Sequence, residues 1–486
     1  MTDTSFNTPD ISGKTPLCVD LDGTLIRSDL LFEAVWLFLR KHPLLVFLLP
    51  IWLLKGKANL KSKLAEIVQP DASQLPYNQS VLQWLRREKA SGTPLVLATA
   101  SHKTYAEAVA RHLGLFDRVE ASSSTVNLSS ARKAQRLSDA YGHTGFDYAG
   151  NSKADVKVWQ RARRAFIVDP DRAARGYHKL DSSSVLVDSE ETPPRWKVWL
   201  KAIRIHQWLK NSLLFVPAIL GFRYFDPTTI VSLIIAFISF GLCASSVYLL
   251  NDLTDIEVDR KHPTKRKRPI AAGHLNIVSA SVAAFVLLVA GFAMSLWLPT
   301  VFSLVLATYF AVTCAYSFLL KRLLLIDVLT LAGLFTIRVV AGAAAIGGEV
   351  SAWLLAFCVF FFLSLALVKR FVELTMRNDD GGREVTGRGY QGSDLETLSQ
   401  GGMASGFAAV VVLALFIDSP EVAQNYTNPQ LIWLVCPLVL YLILRIWILA
   451  RRKQMHDDPV VFLMTDWRSQ FMIGAGAIVM LVSQFV

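Results

Sequence analysis

Five cysteines in 486 residues, none of them spaced as a pair, give no disulfide framework. Cys18, Cys243, Cys314, Cys358 and Cys436 lie mostly inside apolar runs, where a thiol serves as a small core side chain in a reducing setting. The N-terminus, M-T-D-T-S-F-N-T-P-D, has neither a basic region nor an apolar stretch, so no cleaved signal peptide is expected. Charge is scarce as well. Only 18% of the residues are charged against 52% hydrophobic, and a mean hydropathy of +0.38 is too apolar for a soluble protein. The first third is too polar to be membrane, so two domains of different class are expected. The formal net charge of +11 comes from Lys and Arg gathered in loops between apolar spans. That placement suits an anionic membrane face or phosphate substrates, not nucleic acid.

In the first domain, expected over residues 1–186, a short apolar strand runs into D-x-D-G-T at Asp20, Asp22 and Thr24. Two carboxylates separated by one residue at a strand's carboxyl end project to the same side. One can attack a phosphorus and the other shuttle a proton. The motif resembles the first motif of the haloacid dehalogenase superfamily of phosphatases, and further elements follow in order. The resemblance implies that Thr99, in P-L-V-L-A-T-A-S, binds a phosphoryl oxygen and that Lys133 neutralises an aspartyl-phosphate. It also implies Mg²⁺ held by Asp20, Asp22, Asn151 and Asp155. Asn151 stands where an aspartate is commoner, and with one charge fewer the metal should bind more weakly. Alternating strands and helices imply a doubly wound parallel α/β sheet with a helical cap inserted at about residues 30–91. Inside the cap, residues 44–54 form an apolar run too short to span a bilayer, bracketed by Arg40, Lys41 and His42 before and by Lys55, Lys57, Lys61 and Lys63 after. It reads as an interfacial hairpin or as a buried cap core.

Ser, Glu and Pro enrichment over residues 181–194 marks a linker. Residues 187–200 are expected to hold this linker and the start of an interfacial helix, where Trp196 and Trp199 alternate with Lys197 and Lys201. The rest, 201–486, is expected to be an all-α, nine-helix transmembrane domain. Apolar segments lie near 209–222, 229–250, 276–297, 300–320, 325–346, 352–370, 403–418, 429–450 and 469–486, the first and last short or broken. Loops after the even-numbered segments carry almost all the positive charge, and those after the odd-numbered ones hold Arg223 as their only basic residue. The loops and the N-terminal domain are therefore expected on the cytoplasmic side of the cell (inner) membrane.

After the second segment the chain reads N-D-L-T-D-I-E-V-D-R-K-H-P-T-K-R-K-R-P-I-A-A-G. Asn251, Asp255 and Asp259 are four apart and share a helix face, with Asp252 beside the first. Oxygen ligands in such a row suit Mg²⁺. Arg260, Lys265, Arg266 and Arg268 follow, a cluster fit for phosphate oxygens. A diphosphate site is expected. The pattern looks like the signature of the UbiA superfamily of intramembrane prenyltransferases, in its decaprenyl-phosphate phosphoribosyltransferase form. Lys210 and Asn211 in R-I-H-Q-W-L-K-N, and Tyr316, Lys321 and Arg322 in Y-S-F-L-L-K-R, support that branch as substrate-binding positions. Asp327 and Arg338 fall on one face of the fifth segment. The second aspartate-rich motif of the aromatic prenyltransferases is not matched, because Asp327 has no companion aspartate nearby.

The reading that follows is Mg²⁺-dependent transfer of phosphoribose from 5-phosphoribosyl diphosphate to a polyprenyl phosphate. Asn251, Asp252, Asp255 and Asp259 would hold the metal on the leaving diphosphate, while the first domain hydrolyses a phosphomonoester. A prenyltransferase using a polyprenyl diphosphate and an aromatic or isoprenoid acceptor shares the fold and first motif. A transporter or lipid-binding protein with a regulatory phosphatase-like domain would not need the acidic ladder.

Overall fold

The computed structural model describes residues 14–187, 193–221, 226–379, 389–419, 426–455 and 458–485. Residues 1–13, residues 188–192 of the linker, Arg223 and the loop residues Arg383 and Arg388 lie outside this set. The chain divides into two compact units. One comprises residues 1–203 with 249–283, the other residues 204–248 with 284–486.

The first unit is built on a six-stranded, wholly parallel sheet in the order β3-β2-β1-β4-β5-β6. The strands are β1 (Leu17–Val19), β2 (Leu95–His102), β3 (Arg118–Ser122), β4 (Asp147–Gly150), β5 (Ala165–Ile167) and β6 (Val185–Leu186). Alternation along β1 and β2 divides the core. Leu17, Val19, Leu95 and Leu97 face one layer, whereas Cys18, Val96 and Ala98 face another with Tyr148 and Trp159. The strand order reverses at β1, which puts its carboxyl end at the crevice where such sheets bind ligands.

Three cap helices follow β1: α1 (Leu30–Lys41), α2 (Leu48–Leu54) and α3 (Lys57–Ile67). Asp29 starts α1 by accepting from the Leu31 N–H, and Arg40 and Lys41 sit in its last turn. Leu30, Ala34, Leu37 and Phe38 repeat at helical spacing and are buried against the β1–β2 layer. Glu33 is buried on that same stripe.

The second unit is helical. Among the described residues seven helices are long and apolar enough to cross a membrane: Pro227–Thr254 (which reaches into the first unit), Ile277–Ser295, Thr300–Phe318, Ile326–Ala345, Ala352–Met376, Gly392–Ile417 and Pro429–Arg451. They match expected segments two to eight. The first expected segment is instead a run of tight turns, Ile205–Phe215, and a short helix, Val216–Leu220, which begins at a Val-Pro pair. The ninth is a helix, Trp467–Phe485, whose opening Trp-Arg-Ser-Gln lowers its hydropathy.

Gly342, in the Ile326–Ala345 helix, lies so close to the Ile205–Phe215 turns that a Cβ there would stand 2.0 Å from the Leu214 carbonyl oxygen. The obstacle is backbone, which cannot rotate away. Gly342→Ala is expected to cost about 3 kcal/mol or more, seen as a lower unfolding midpoint in detergent. Gly333→Ala on the same helix, with nothing within 4 Å of the added methyl, should stay within about 1 kcal/mol of wild type.

Candidate functional sites

The carboxyl ends of β1, β2 and β4 bring the first set of sequence-marked residues together. Asp20 follows β1 directly, its N–H donating to the Ala149 carbonyl at 2.9 Å. The turn then needs Gly23: its φ is +78°, and a Cβ would lie 2.4 Å from the Asn151 amide nitrogen. Lys133 Nζ donates to Asp20 Oδ1 at 2.7 Å and to the Tyr148 hydroxyl at 2.8 Å, and lies 3.6 Å from Asp155. Tyr148 in turn donates to Asp155 at 2.7 Å. All four groups are buried.

Asp22 is held differently. It accepts from the Ser101 hydroxyl at 2.6 Å and from the Leu30 N–H at 2.9 Å. Thr99, expected to meet a phosphoryl oxygen, is fully buried; its hydroxyl lies 3.4 Å from Asp22 and accepts from the Ser101 N–H. Thr99 and Ser101, two apart on β2, face the same side. The Ser101 hydroxyl, at 2.6 Å against 3.4 Å, is the closer of the two to Asp22 and orients it. Lys61 is a residue that sequence reasoning left among the flanking charges of the cap. It reaches from α3 to the Ala100 carbonyl and to Asn127 Oδ1 at 2.9 Å. A lysine in the middle of an amphipathic helix carries no signal of its own.

Charge is unevenly matched here. Burial pushes the Asp20 carboxyl up to about 7, with Asp155 and Asp22 adding to the effect of burial and Lys133 opposing it. Burial and Asp29 push Asp22 up to about 6. Burial lowers Lys61, although Asp22 and Asp29 resist that. A crowded carboxylate set that holds a proton near neutrality fits a divalent cation, and Asp20, Asp22 and the Asn151 amide oxygen would hold Mg²⁺. Asp155 does not present itself as an open ligand. Its oxygens accept from Tyr148, the Ser152 hydroxyl and the N–H groups of Asn151 and Ser152, which makes it the organiser of the turn. Among the described residues no group of three or more His, Cys, Asp or Glu side chains is arranged to hold a metal.

The acidic ladder is the second site. The Pro227–Thr254 helix ends just before Asp255, which leaves helical geometry slightly at φ −101° and ψ 13° before Ile256–Lys261 resumes. Four-residue bonding nonetheless runs through the break, from Asp255 N–H to the Asn251 carbonyl and from Asp259 N–H to the Asp255 carbonyl. Asn251, Asp255 and Asp259 therefore keep the expected spacing. Asp252 and Asp259 are buried, and Arg268 Nη1 bridges them at 3.1 and 2.6 Å. Burial raises the Asp259 carboxyl against the pull of Arg268.

Arg260 differs from the expectation that it holds phosphate. Its fork donates to both oxygens of Glu33 at 3.0 and 2.7 Å, and its Nε donates to the Ala271 carbonyl at 3.0 Å. Both side chains are almost fully buried. Arg260 thus ties cap helix α1 to the residue next to Asp259. The partner lies 227 positions earlier in the chain, so no local pattern could announce it. Lys265 is half-buried and Arg266 exposed. Arg266 and Lys267 help line a cavity of about 760 Å³ with Lys197, Lys201 and His274.

In the second unit the buried ionisable residues sort into pairs. Lys210 and Lys369 both donate to Asp458 Oδ2 at 2.8 Å. Asn211 accepts from Arg338 Nε at 3.2 Å, and Arg338 also donates to the Tyr309 hydroxyl at 3.0 Å. Asp327 shares a helix with Arg338 but is bound elsewhere, by Arg370 at 2.9 Å and by the Tyr390 hydroxyl. Tyr316 and Lys321 are half-buried and Arg322 is exposed. Asp458 escaped the sequence reading, although D-P-V is a helix-start pattern; its carboxylate does accept from the Val460 N–H.

Comparison with known proteins gives two matches along the chain. A model for the UbiA prenyltransferase family matches residues 213–467, and one for haloacid dehalogenase-like hydrolases matches residues 17–181. The uncharacterized protein y4nM of Sinorhizobium fredii is 41% identical over 468 residues, covering 95% of this chain and 89% of that protein. A decaprenyl-phosphate phosphoribosyltransferase of Mycolicibacterium smegmatis is 37% identical over 214 residues, 42% of this chain and 67% of that protein. Among solved structures, a UbiA homolog from Archaeoglobus fulgidus bound to GPP and Mg²⁺ aligns with a TM-score of 0.45 and 15% identity, over 60% of this chain and 100% of that one.

Two outcomes are expected from this geometry. The Asp20 carboxyl rises from 3.8 to about 7 on folding, so folding takes up a proton between those values and stability falls as pH rises through that window. With chelator present, Asp20→Asn should therefore unfold at a higher temperature than wild type at pH 8, by a gap that is smaller at pH 5 and closes only below the unfolded value of 3.8. Adding Mg²⁺ at pH 8 should narrow that gap by stabilising the wild type. For the Arg260–Glu33 pair, Glu33→Gln should cost about 3–5 kcal/mol by leaving a buried guanidinium unanswered, whereas Glu33→Leu with Arg260→Met restores most of it. Thermal unfolding of the wild type and these two variants checks this.

Proposed function

The chain belongs to the UbiA prenyltransferase family and carries a haloacid dehalogenase-like hydrolase domain ahead of it, and from this we propose that it moves phosphoribose from 5-phosphoribosyl diphosphate to a polyprenyl phosphate and then removes a phosphate from the product. The chain is a multi-pass membrane protein and an enzyme of that family. The observation that carries the finer reading is the acidic ladder closed by Arg268, in a chain similar to decaprenyl-phosphate phosphoribosyltransferases. Mg²⁺ bound at Asn251, Asp252, Asp255 and Asp259 would supply charge for a leaving diphosphate. Arg268 then has the role of exchanging carboxylate for phosphate oxygens as that charge develops. The lipid phosphate is already an anion and needs no strong base. One of its oxygens forms a bond to the anomeric carbon while the bond from that carbon to diphosphate breaks, the electron pair leaving with diphosphate.

The product would carry a phosphomonoester on its ribose, and this is the group we assign to the first site. Asp20 attacks phosphorus, and the ester P–O bond breaks as Asp22 gives its proton to the departing ribose oxygen. Water then displaces the phosphate from Asp20, with Asp22 taking the proton back. Asp22, held by the Ser101 hydroxyl and the Leu30 N–H, is placed for both directions. Lys133 balances the charge on Asp20, and Ser101 fixes the Asp22 rotamer. The two steps on one chain keep the intermediate at high effective concentration. We place both sites on the cytoplasmic face. A polyprenyl diphosphate donor is less well supported, because the acidic side chain of the fifth segment, Asp327, is taken up by Arg370 and Tyr390.

With purified protein, Mg²⁺ and a polyprenyl phosphate, ribose-labelled 5-phosphoribosyl diphosphate should put label into the organic phase. Asp255→Ala should abolish it. Asp20→Asn should keep the transfer and accumulate a lipid that still carries its second phosphate. No label in lipid from the wild type overturns the transferase reading, and an unchanged final product from Asp20→Asn overturns the phosphatase reading.

A further inference from the structure

We propose that the cap's apolar hairpin, residues 43–57, inserts into the headgroup region of an anionic bilayer, so that the hydrolase-like site serves phosphomonoesters carried on a lipid anchor. Only the second half of this statement rests on the phosphatase reading above.

The hairpin consists of the turn Pro43–Leu45 and helix α2, Leu48–Leu54. Its sides differ sharply. Leu49 and Trp52 pack on the N-terminal core, with the Trp52 ring 5.4 Å from Phe38. The other side leaves Leu44 87%, Phe47 76% and Leu54 89% exposed, with Ile51 and Leu53 half exposed between them. A contiguous apolar face of this kind on an anchored helix marks an interaction surface, not a loop that will fold away.

Charge says which surface it meets. Lys41 stands exposed before the hairpin and Lys55 and Lys57 after it, and no acidic residue occurs from 34 to 65. An apolar wedge rimmed by lysines complements acyl chains beneath anionic headgroups. Seven residues of helix give roughly 10 Å, so the hairpin lies in the interface and does not span the bilayer. The seven membrane-length helices of the same chain keep a bilayer permanently within reach.

The hairpin also leads straight to the catalytic groups. Helix α3 begins at Lys57, and one turn further on Lys61 reaches the Ala100 carbonyl beside Ser101, which holds Asp22. The lysine at the wedge's rim and the lysine that reaches the strand end beside Asp22 thus sit one helical turn apart on the same helix. Substrates carrying their own lipid tail gain from that proximity, and a soluble sugar phosphate does not.

The test uses the full chain in phosphatidylglycerol-containing vesicles. An environment-sensitive fluorophore is placed at Phe47→Cys, at Leu54→Cys and, as a solvent reference, at Lys157→Cys; the native cysteines are buried or half-buried. Docking predicts quenching of the first two by nitroxide-bearing lipid and protection from iodide, both weaker in pure phosphatidylcholine. Iodide quenching equal to that at position 157, or protection from both quenchers, which would mean a covering protein surface, overturns it. In parallel the triple variant Leu44→Ser, Phe47→Ser, Leu54→Ser is assayed on the lipid-linked phosphoribose and on free ribose 5-phosphate. The expected result is a loss of about tenfold or more on the lipid substrate, with hydrolysis of the soluble one within about twofold of wild type. Equal losses on both overturn the lipid-anchored preference. If the wild type hydrolyses neither, the phosphatase reading has failed while the quenching data still decide the docking.

Discussion

A carboxylate removed from water must be answered by a positive charge or by hydrogen-bond donors, and in this chain most of the buried ones are answered by a cation. Glu33 is answered by Arg260, Asp252 and Asp259 by Arg268, Asp327 by Arg370, and Asp458 by Lys210 and Lys369 together. None of these pairs is strong evidence for stability, since desolvation consumes much of the attraction. Their effect is to fix geometry: Arg268 closes the ladder locally, and the others join segments far apart in sequence at one relative position. Asp20 and Asp22 are the exception. Lys133 and Lys61 do not hold their carboxyls at ordinary acidity, and that shortfall is what a metal-dependent phosphoryl site requires.

The same requirement distinguishes scaffold from reagent among residues of one type. Arg260 and Arg268 stand eight apart in the same basic stretch. Arg260 is sealed against Glu33 and a backbone carbonyl, so its guanidinium is structural. Arg268 is partly exposed and bridges two carboxylates, an arrangement a metal and a phosphate can take over. Composition treats the two alike. Partner identity separates them.

That contrast also explains what could be read in advance. The parallel sheet, the strand-end aspartates and the acidic ladder were legible because they follow short-range rules: strands alternating with helices, a motif at a strand end, and four-residue spacing. Lys133, 113 positions from Asp20, was marked by the family resemblance alone. Seven of nine apolar segments were legible by length, whereas Val216-Pro217 and the polar start at Trp467 broke the outer two. Lys61, Asp458 and the true partner of Arg260 were not legible, since each is defined by a contact with a distant part of the chain. Thr99 and Ser101 were confusable because both hydroxyls lie on one face of one strand end, and only their distances to the Asp22 carboxylate, 3.4 and 2.6 Å, separate them.

The Arg260–Glu33 contact has a consequence for the history of the fusion. Once a buried arginine next to the ladder depends on a glutamate in the cap, neither position can drift alone, and loss of the upstream domain by gene fission leaves a cation stranded beside the ladder. The two domains thereby share one ionic contact, and a change at either position 33 or 260 is felt on both.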